Sequence, residues 1–172
     1  RNDKSKQGAS GGPITKDNTS VEYYCTIFAA LESPHEKGVL WCGSDDGLIH
    51  LSRDGGENWA NGTPPDMPEW MQINSSEAHP FEKGGLYVAG TRYKSDDFSP
   101  YRWVTTDWGA SWRRITKGIP ADHFTRVIRA DPEAPGCSTP ARSAASTYRA
   151  MTADDGRRWR SISPSCRSPI SR

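Results

Sequence analysis

The chain contains one octet three times, as S-R-D-G-G-E-N-W at 52–59, T-T-D-W-G-A-S-W at 105–112 and T-A-D-D-G-R-R-W at 152–159. Every copy has Ser or Thr at position one, Asp at three, Gly at five and Trp at eight. An Asp at the mouth of a hairpin accepts hydrogen bonds from the backbone N–H groups of its own turn, and Gly takes the positive φ. The octets therefore predict three identical hairpin turns, each closed by a Trp that packs over its sheet.

The shared octet residues are predicted to be structural rather than catalytic. Identical turns that repeat along a chain are explained by the fold alone. The structural set consists of Asp54, Gly56, Trp59, Asp107, Gly109, Trp112, Asp154, Gly156 and Trp159.

A second repeated feature precedes each octet. A Pro is followed four residues later by a Gly in the pairs Pro34 and Gly38, Pro80 and Gly84, and Pro132 and Gly136. The octets begin 53 and then 47 residues apart, a period that is typical of a four-stranded β-propeller blade. Each period is therefore interpreted as one blade.

Short apolar runs fill each period. The runs at 25–28, 39–41 and 48–51 are rich in β-branched and aromatic residues and are separated by Gly, Pro and Asp, which is typical of strands. We therefore expect an all-β chain that forms part of a β-propeller. An irregular lead-in at 1–20 is followed by blades at 21–162 and by an irregular tail at 163–172.

The number of repeats predicts about two and a half to three four-stranded blades. Closed propellers have about four to eight blades. We therefore expect the chain to be a fragment whose remaining blades belong to a longer parent chain.

The octets and the Pro-Gly turns resemble the Asp-box hairpins of BNR-repeat propellers. From Gly12 to about Gly136 the chain is similar to bacterial sortilin-like, glycosyl hydrolase-like BNR-repeat proteins. The resemblance is carried by G-G-P-I-T-K-D-N-T (11–19), W-C-G-S-D-D-G-L-I-H (41–50), P-E-W-M-Q-I-N (68–74) and G-I-P-A-D-H-F-T-R (118–126). It implies export to the periplasm or the medium. Position seven departs from the usual Ser or Thr in two octets, at Asn58 and Arg158.

The third period lacks convincing strands. Residues 137–149 read C-S-T-P-A-R-S-A-A-S-T-Y-R, and Pro with many small residues is poor strand material. A one-base shift of a compatible coding sequence instead gives L-L-Y-A-G-T-E-R-G-I-Y-V, which has two strands around a Gly turn. We therefore hypothesise that residues 137–150 are out of frame, which raw reads of the gene would test.

The amino-acid composition limits the classes of partner that the chain is expected to bind. The chain has 22 Lys and Arg against 21 Asp and Glu, a net charge of +1, which gives no electrostatic footprint for nucleic acid. It is too polar for a membrane span. The four cysteines have no metal-binding spacing, so neither a metal site nor a cofactor is expected.

Propeller topology predicts the location of a ligand site. The segments 62–70, 91–100 and 115–123 are expected to meet at the end of the central channel opposite the octets, and loops on a rigid scaffold are where binding groups concentrate. The predicted ligand-binding residues are Trp70, Arg92, Tyr93 and Tyr101. The alternative is an ordinary solvated loop, since a mixture of acidic and basic side chains is typical of a solvent-exposed surface.

Two functions remain open. The favoured one is a sortilin-like binding module that presents this face to a protein, peptide or glycan. The alternative is a glycoside hydrolase, which needs two carboxylates facing each other across the channel. The candidate carboxylates are Glu69, Asp96, Asp97 and Asp122.

Overall fold

A computed structural model describes residues 25–132 in full and four backbone segments outside them. The all-β prediction is confirmed, because the described part consists of four antiparallel sheets and one 3₁₀ turn. A small ribbon pairs β1 (Asn18–Thr19) with β2 (Glu22–Tyr23). No helix in the described ranges is long and apolar enough to cross a membrane.

Two complete blades follow the ribbon, and each is a four-stranded meander. Blade 1 consists of β3 (Ile27–Glu32), β4 (Leu40–Ser44), β5 (Ile49–Ser52) and β6 (Ala60–Asn61). Blade 2 consists of β7 (Gln72–Ala78), β8 (Leu86–Arg92), β9 (Asp97–Thr105) and β10 (Arg113–Arg114).

A third sheet contains β11 (Thr125–Ala130), β12 (Cys137–Arg142) and β13 (Met151–Thr152). The expectation that 137–149 gives no second strand is therefore wrong for β12. Its backbone pairs with β11 from Ser138 to Arg142, and pairing with a neighbouring strand overrides weak intrinsic propensity. The frame hypothesis itself stays a prediction. The third octet at 152–159 lies outside the fully described residues.

Strand β8 is buried on both of its faces. Leu86 and Val88 pack into a cluster with Trp41 and Ile49 of blade 1. Tyr87 and Ala89, which alternate with them, point to the opposite face and join a cluster with Ile128 of the third sheet. Successive side chains of a strand point to opposite faces, so blade 2 is packed between its two neighbours.

The first of these interfaces depends on a very close approach at Gly43. A Cβ atom placed on Gly43 of β4 would lie 2.4 Å from Cγ2 of Ile73 on β7. Only the lack of a side chain lets blade 2 pack this tightly against blade 1.

The two described octets form the same hydrogen-bonded turn. In the first, Oδ1 of Asp54 accepts from the Ser52 hydroxyl (2.8 Å) and from the Asn58 backbone N–H (2.9 Å). In the second, Oδ1 of Asp107 accepts from the Thr105 hydroxyl (2.8 Å) and the backbone N–H of the Ser at position seven (2.9 Å). In each octet, the hydrogen bonds to one carboxylate therefore stabilise the hairpin turn.

Position seven of the octet contributes a side-chain bond as well. Nδ2 of Asn58 donates to Oδ2 of Asp54 (2.7 Å), as the Ser111 hydroxyl does to Oδ2 of Asp107 (2.5 Å). The departure from Ser or Thr at this position is therefore accommodated by the Asn amide.

The closing tryptophans differ between the two octets. Nε1 of Trp112 donates to the carbonyl of Gly62 in blade 1 (2.9 Å), so this ring joins two blades. Nε1 of Trp59 donates only within its own octet, to the carbonyl of Gly56 (3.0 Å), and the side chain is 45% exposed. The described ranges place no blade before blade 1 for Trp59 to contact.

Replacing Asp54 with Asn should reduce acid sensitivity. Hydrogen bonds from Asn58 and Ser52 lower the pKa of Asp54 to about 2. A depressed folded-state pKa contributes stability above the ordinary carboxyl pKa, and this contribution is lost as the pH falls towards 2. We expect Asp54→Asn to lower the thermal midpoint by a few degrees at pH 7 and by less at pH 3. An equal loss at both pH values in calorimetry would contradict this.

Replacing Gly43 with Ala should destabilise the blade interface. The added methyl collides with Ile73, and overpacking a core costs about 1–3 kcal/mol. The matched control is Gly62→Ala, whose Cβ would be 3.4 Å from the nearest atom, on Trp41, and should cost less. Urea unfolding of both variants measures the difference, and equal stabilities would refute this account of the interface.

Candidate functional site

The connections between strands emerge on two opposite faces. The octets and the turns at 33–39 and 79–85 share one face, where the Gly55 N–H donates to the Gly38 carbonyl (2.9 Å) and the Trp108 N–H to the Gly84 carbonyl (3.0 Å). The segments 45–48, 62–71, 93–96 and 115–124 emerge at the other ends of the strands, and we call this side the loop face.

A small surface cleft of about 30 Å³ opens on the loop face. It lies between the β4–β5, β6–β7 and β8–β9 connections, so the first two predicted segments do meet. Its lining consists of Asp45, Trp70, Gln72, Thr91, Arg92, Lys94 and Ser95. The cleft thus combines one indole ring and two cations with a single carboxylate.

Trp70 has a strained backbone at the mouth of this cleft. Its φ is +60°, a conformation that costs a bulky residue about 1–3 kcal/mol. Its side chain is nevertheless 36% exposed, so burial of the ring does not fully account for the strain. Trp108 of the second octet has a similar φ of +63°, so the position of Trp70 at the cleft, rather than strain alone, makes it a candidate binding residue.

Arg92 is held in place by Asp97 at the base of the β8–β9 hairpin. Its Nη1 lies 3.2 Å from Oδ2 of Asp97, and the two residues are paired across the strands. The predicted loop at 91–100 is therefore much shorter than expected. Strand pairing extends to this ion pair, and only a 3₁₀ turn (Tyr93–Ser95) and Asp96 connect the strands.

Tyr101 does not offer a ring face to a ligand. The side chain is 7% exposed, its ring stacks on Trp103 at 5.8 Å, and the Arg114 guanidinium lies 4.9 Å from its centre. Its hydroxyl donates to Oδ2 of Asp97 (2.7 Å). The position of Tyr101 therefore does not support the predicted ligand-stacking role. Tyr101 instead holds Asp97, which in turn holds Arg92.

Tyr93 lies beside the cleft rather than in it. Its ring stacks on that of Phe124 at a centroid distance of 5.8 Å. Phe124 ends the β10–β11 connection, so the third predicted segment also reaches this part of the loop face. Arg92 and Lys94, on either side of Tyr93 in the chain, line the cleft.

The four candidate carboxylates do not line the cleft. Asp97 contacts both Arg92 and Tyr101. Burial raises the pKa of Asp97, but the hydrogen bond from the Tyr101 hydroxyl and the weaker effects of Ser99 and Arg92 together hold this pKa below its ordinary value. Asp122 is exposed and lies 2.8 Å from Nδ1 of His123, which lowers its pKa. Asp96 takes the left-handed position that ends the 3₁₀ turn, and Glu69 is exposed.

Asp45 is the cleft carboxylate that sequence reasoning missed. It is buried, and desolvation raises its pKa although the backbone N–H of Thr26 donates to its Oδ1 (2.9 Å). Asp45 begins a D-D-G run (45–47) whose composition is typical of any turn, and only its place in the same cleft as Trp70 marks it as a candidate site residue. Among residues 25–132, no group of His, Cys, Asp and Glu is arranged to hold a metal ion.

The fold is similar to those of solved propeller proteins. YCF48 from Cyanidioschyzon merolae has a TM-score of 0.54 and 21% identity over 78% of this chain and 36% of its own. YCF48 bound to D1 peptide has a TM-score of 0.55 and 22% identity over 79% and 40%. An ancestral GH74 enzyme has a TM-score of 0.59 and 18% identity over 81% and 18%. No protein-family model and no curated protein matches the sequence.

These similarities concern architecture. The chain spans between 18% and 40% of the length of the three matched structures, and it does so with two four-stranded blades and part of a third. The prediction of a partial β-propeller is therefore confirmed.

Replacing Asp97 with Asn should loosen the support beneath the cleft. The change removes the charge that holds Arg92 and weakens the acceptor of the Tyr101 hydroxyl, and hydrogen bonds to charged groups contribute about 1.5–3 kcal/mol. We expect a loss of about that size in urea unfolding. Asp96→Asn is the matched control, since Asn tolerates the left-handed conformation. Similar losses in both variants would contradict the assignment.

Proposed function

We propose that this chain is the ligand-binding part of a β-propeller and that it holds a peptide segment of a partner protein in the cleft beneath Trp70. The observation that carries the proposal is the strained, partly exposed indole of Trp70 beside Arg92 and Lys94. An aromatic anchor next to cations and amide groups is typical of sites where proteins bind other proteins.

The composition of the cleft favours a peptide. Gln72 offers a side-chain amide whose Oε1 is buried without a hydrogen-bond partner, and Arg92 and Lys94 offer donors. Peptide groups supply both the donor and the acceptor that such a lining needs. The structure of YCF48 bound to D1 peptide adds support, as a propeller of similar fold that binds a peptide.

The finer assignments rest on the resemblance of the sequence. We propose that the octets are Asp boxes and that the parent protein is sortilin-like and exported. The carboxylate-centred turns of Asp54 and Asp107 support the first of these proposals. Further blades of the parent chain would cover the exposed Trp59 and complete the ring.

A glycoside hydrolase is the second candidate, and Asp45 is the observation that favours it. A carboxyl group whose pKa is raised by burial is suited to act as a general acid, and GH74 enzymes have a similar fold. The reaction requires a second carboxylate across the cleft. Within the described blades, Asp45 is the one carboxylate that lines the cleft. We therefore favour binding over hydrolysis.

A screen of displayed random peptides and of immobilised oligosaccharides on the 172-residue chain tests the proposal. We expect peptide ligands whose affinity, measured by fluorescence anisotropy, falls at least about tenfold in Trp70→Ala, as for an interface hot spot. Lys94→Gln should weaken binding less, because an exposed charge contributes modestly.

Phe81→Ala is the matched control for Trp70→Ala. Phe81 is also an exposed aromatic residue (42%), but it lies in the 79–85 turn on the octet face, so its loss should leave affinity unchanged. Equal affinity of the Trp70 and Phe81 variants would overturn the site. Release of reducing sugar that disappears in Asp45→Asn would replace the binding proposal with the hydrolase.

A further inference from the structure

Three aromatic rings form a cluster on the loop face next to the cleft. Tyr93 stacks on Phe124 at 5.8 Å, and the ring of Phe98 lies 6.1 Å from that of Phe124. Phe98 is 45% exposed. The Tyr93–Ser95 turn separates this aromatic cluster from the cleft, because Arg92 and Lys94 line the cleft while Tyr93 belongs to the cluster.

Arg126 lies over this cluster, and no carboxylate of the described blades forms an ion pair with it. Its guanidinium carbon is 5.1 Å from the centre of the Tyr93 ring and 5.7 Å from that of Phe124, and the residue is exposed. Arg92 pairs with Asp97 and Arg129 with Glu77, whereas Arg126 lies over aromatic rings, as Arg53 and Arg114 do. Within residues 25–132 no acidic side chain forms a salt bridge with Arg126.

A break in strand register positions Arg126. The pairing of β11 with β12 shifts between Thr125 and Val127, which leaves Arg126 as the extra residue of a bulge. The Thr125 hydroxyl donates to the Tyr101 carbonyl (3.2 Å) and fixes the strand just before this point. Bulges redirect a side chain and are common next to binding sites.

Among the side chains of residues 25–132, none occupies the guanidinium N–H groups of Arg126 with an ion pair. A guanidinium stacked on rings keeps the N–H groups in its plane at the edge, where they fit the two oxygens of a carboxylate. The exposed ring of Phe98, which lies against Phe124 in the same cluster, provides an apolar contact. The ligand that satisfies both groups carries a carboxylate next to an apolar side chain.

We propose that Arg126 and the aromatic cluster form a second subsite, which binds a peptide carboxylate flanked by an apolar side chain. The inference rests on the proposed function, because it assigns this part of the loop face to the same peptide ligand. An acidic sugar is less suited, since the cluster offers rings and one cation but few hydrogen-bonding groups for hydroxyls. The carboxylate comes from an Asp or Glu side chain or from the peptide's C-terminus.

Four labelled probe peptides with a common Gly-Ser body separate these sources. The first has an internal Glu-Leu pair and an amidated end, the second Gln-Leu, the third Glu-Ser, and the fourth ends in Leu with a free carboxylate. We expect the first or the fourth to bind the full chain best by fluorescence anisotropy. The Gln-Leu and Glu-Ser probes should bind more weakly, since each lacks one of the two contacts.

Variants of the protein locate the contact. Arg126→Gln should weaken the best probe at least about tenfold, as expected when a charged hydrogen bond is lost, and Phe98→Ser should weaken it less. Arg126→Lys should restore binding only in part, because an ammonium neither stacks flat nor binds both oxygens. The matched control is Arg53→Gln, since Arg53 lies over the Trp108 ring at 4.5 Å on the octet face. Circular dichroism verifies folding of each variant.

The outcomes distinguish the two proposals. Probe binding that depends on Trp70 but is unchanged in Arg126→Gln would overturn this subsite and leave the cleft in place. Binding of oligogalacturonate that is lost in Arg126→Gln, with no peptide binding, would show an acidic sugar as the occupant and overturn the peptide subsite. Loss in Arg126→Gln with retention in Arg53→Gln supports it.

Discussion

The described structure depends on blade 2 being covered on both faces. An isolated antiparallel sheet has two faces, and β8 places apolar side chains on each, so neither can be left in water without a large cost in free energy. Blade 1 covers one face through Trp41 and Ile49, and the third sheet covers the other through Ile128. The same logic requires a neighbour for every blade and explains why repeats of this kind are found in rings.

This packing also creates the site. The close contact of Gly43 with Ile73 brings β4 against β7, which places the β4–β5 turn with Asp45 beside Trp70 on the next blade. The cleft is thus a consequence of the blade interface rather than of any single loop. Residues that support it, such as Tyr101 and Asp97, act below the surface by fixing the hairpin that carries Arg92.

The propeller architecture could be predicted from the sequence because the octets recur at a nearly constant spacing along the chain. The turn positions of Asp54 and Asp107 and the loop positions of Trp70 and Arg92 could be predicted from the sequence. The placement of Asp45 in the cleft and of Arg126 at a bulge could not, since it arises from contacts between blades and from a register shift that has no local signal. Tyr101 was misjudged because an aromatic residue in a polar segment looks exposed, whereas strand pairing extended further than expected and buried it.

A register shift like the one at Arg126 occurs near the start of the first strand in each of the three blade sheets. It follows the first residue of β3 and of β11 and the second residue of β7, and the extra residue is Phe28 in β3, Asn74 in β7 and Arg126 in β11. The backbone repeats, while the residue type at this position changes from apolar to amide to cation. The side chains of Phe28 and Arg126 are exposed at this position, whereas Asn74 accepts a hydrogen bond from the Thr91 hydroxyl of the neighbouring strand (2.5 Å). One backbone irregularity can therefore either turn a side chain to solvent or bond it to its own sheet, depending only on the residue that occupies it.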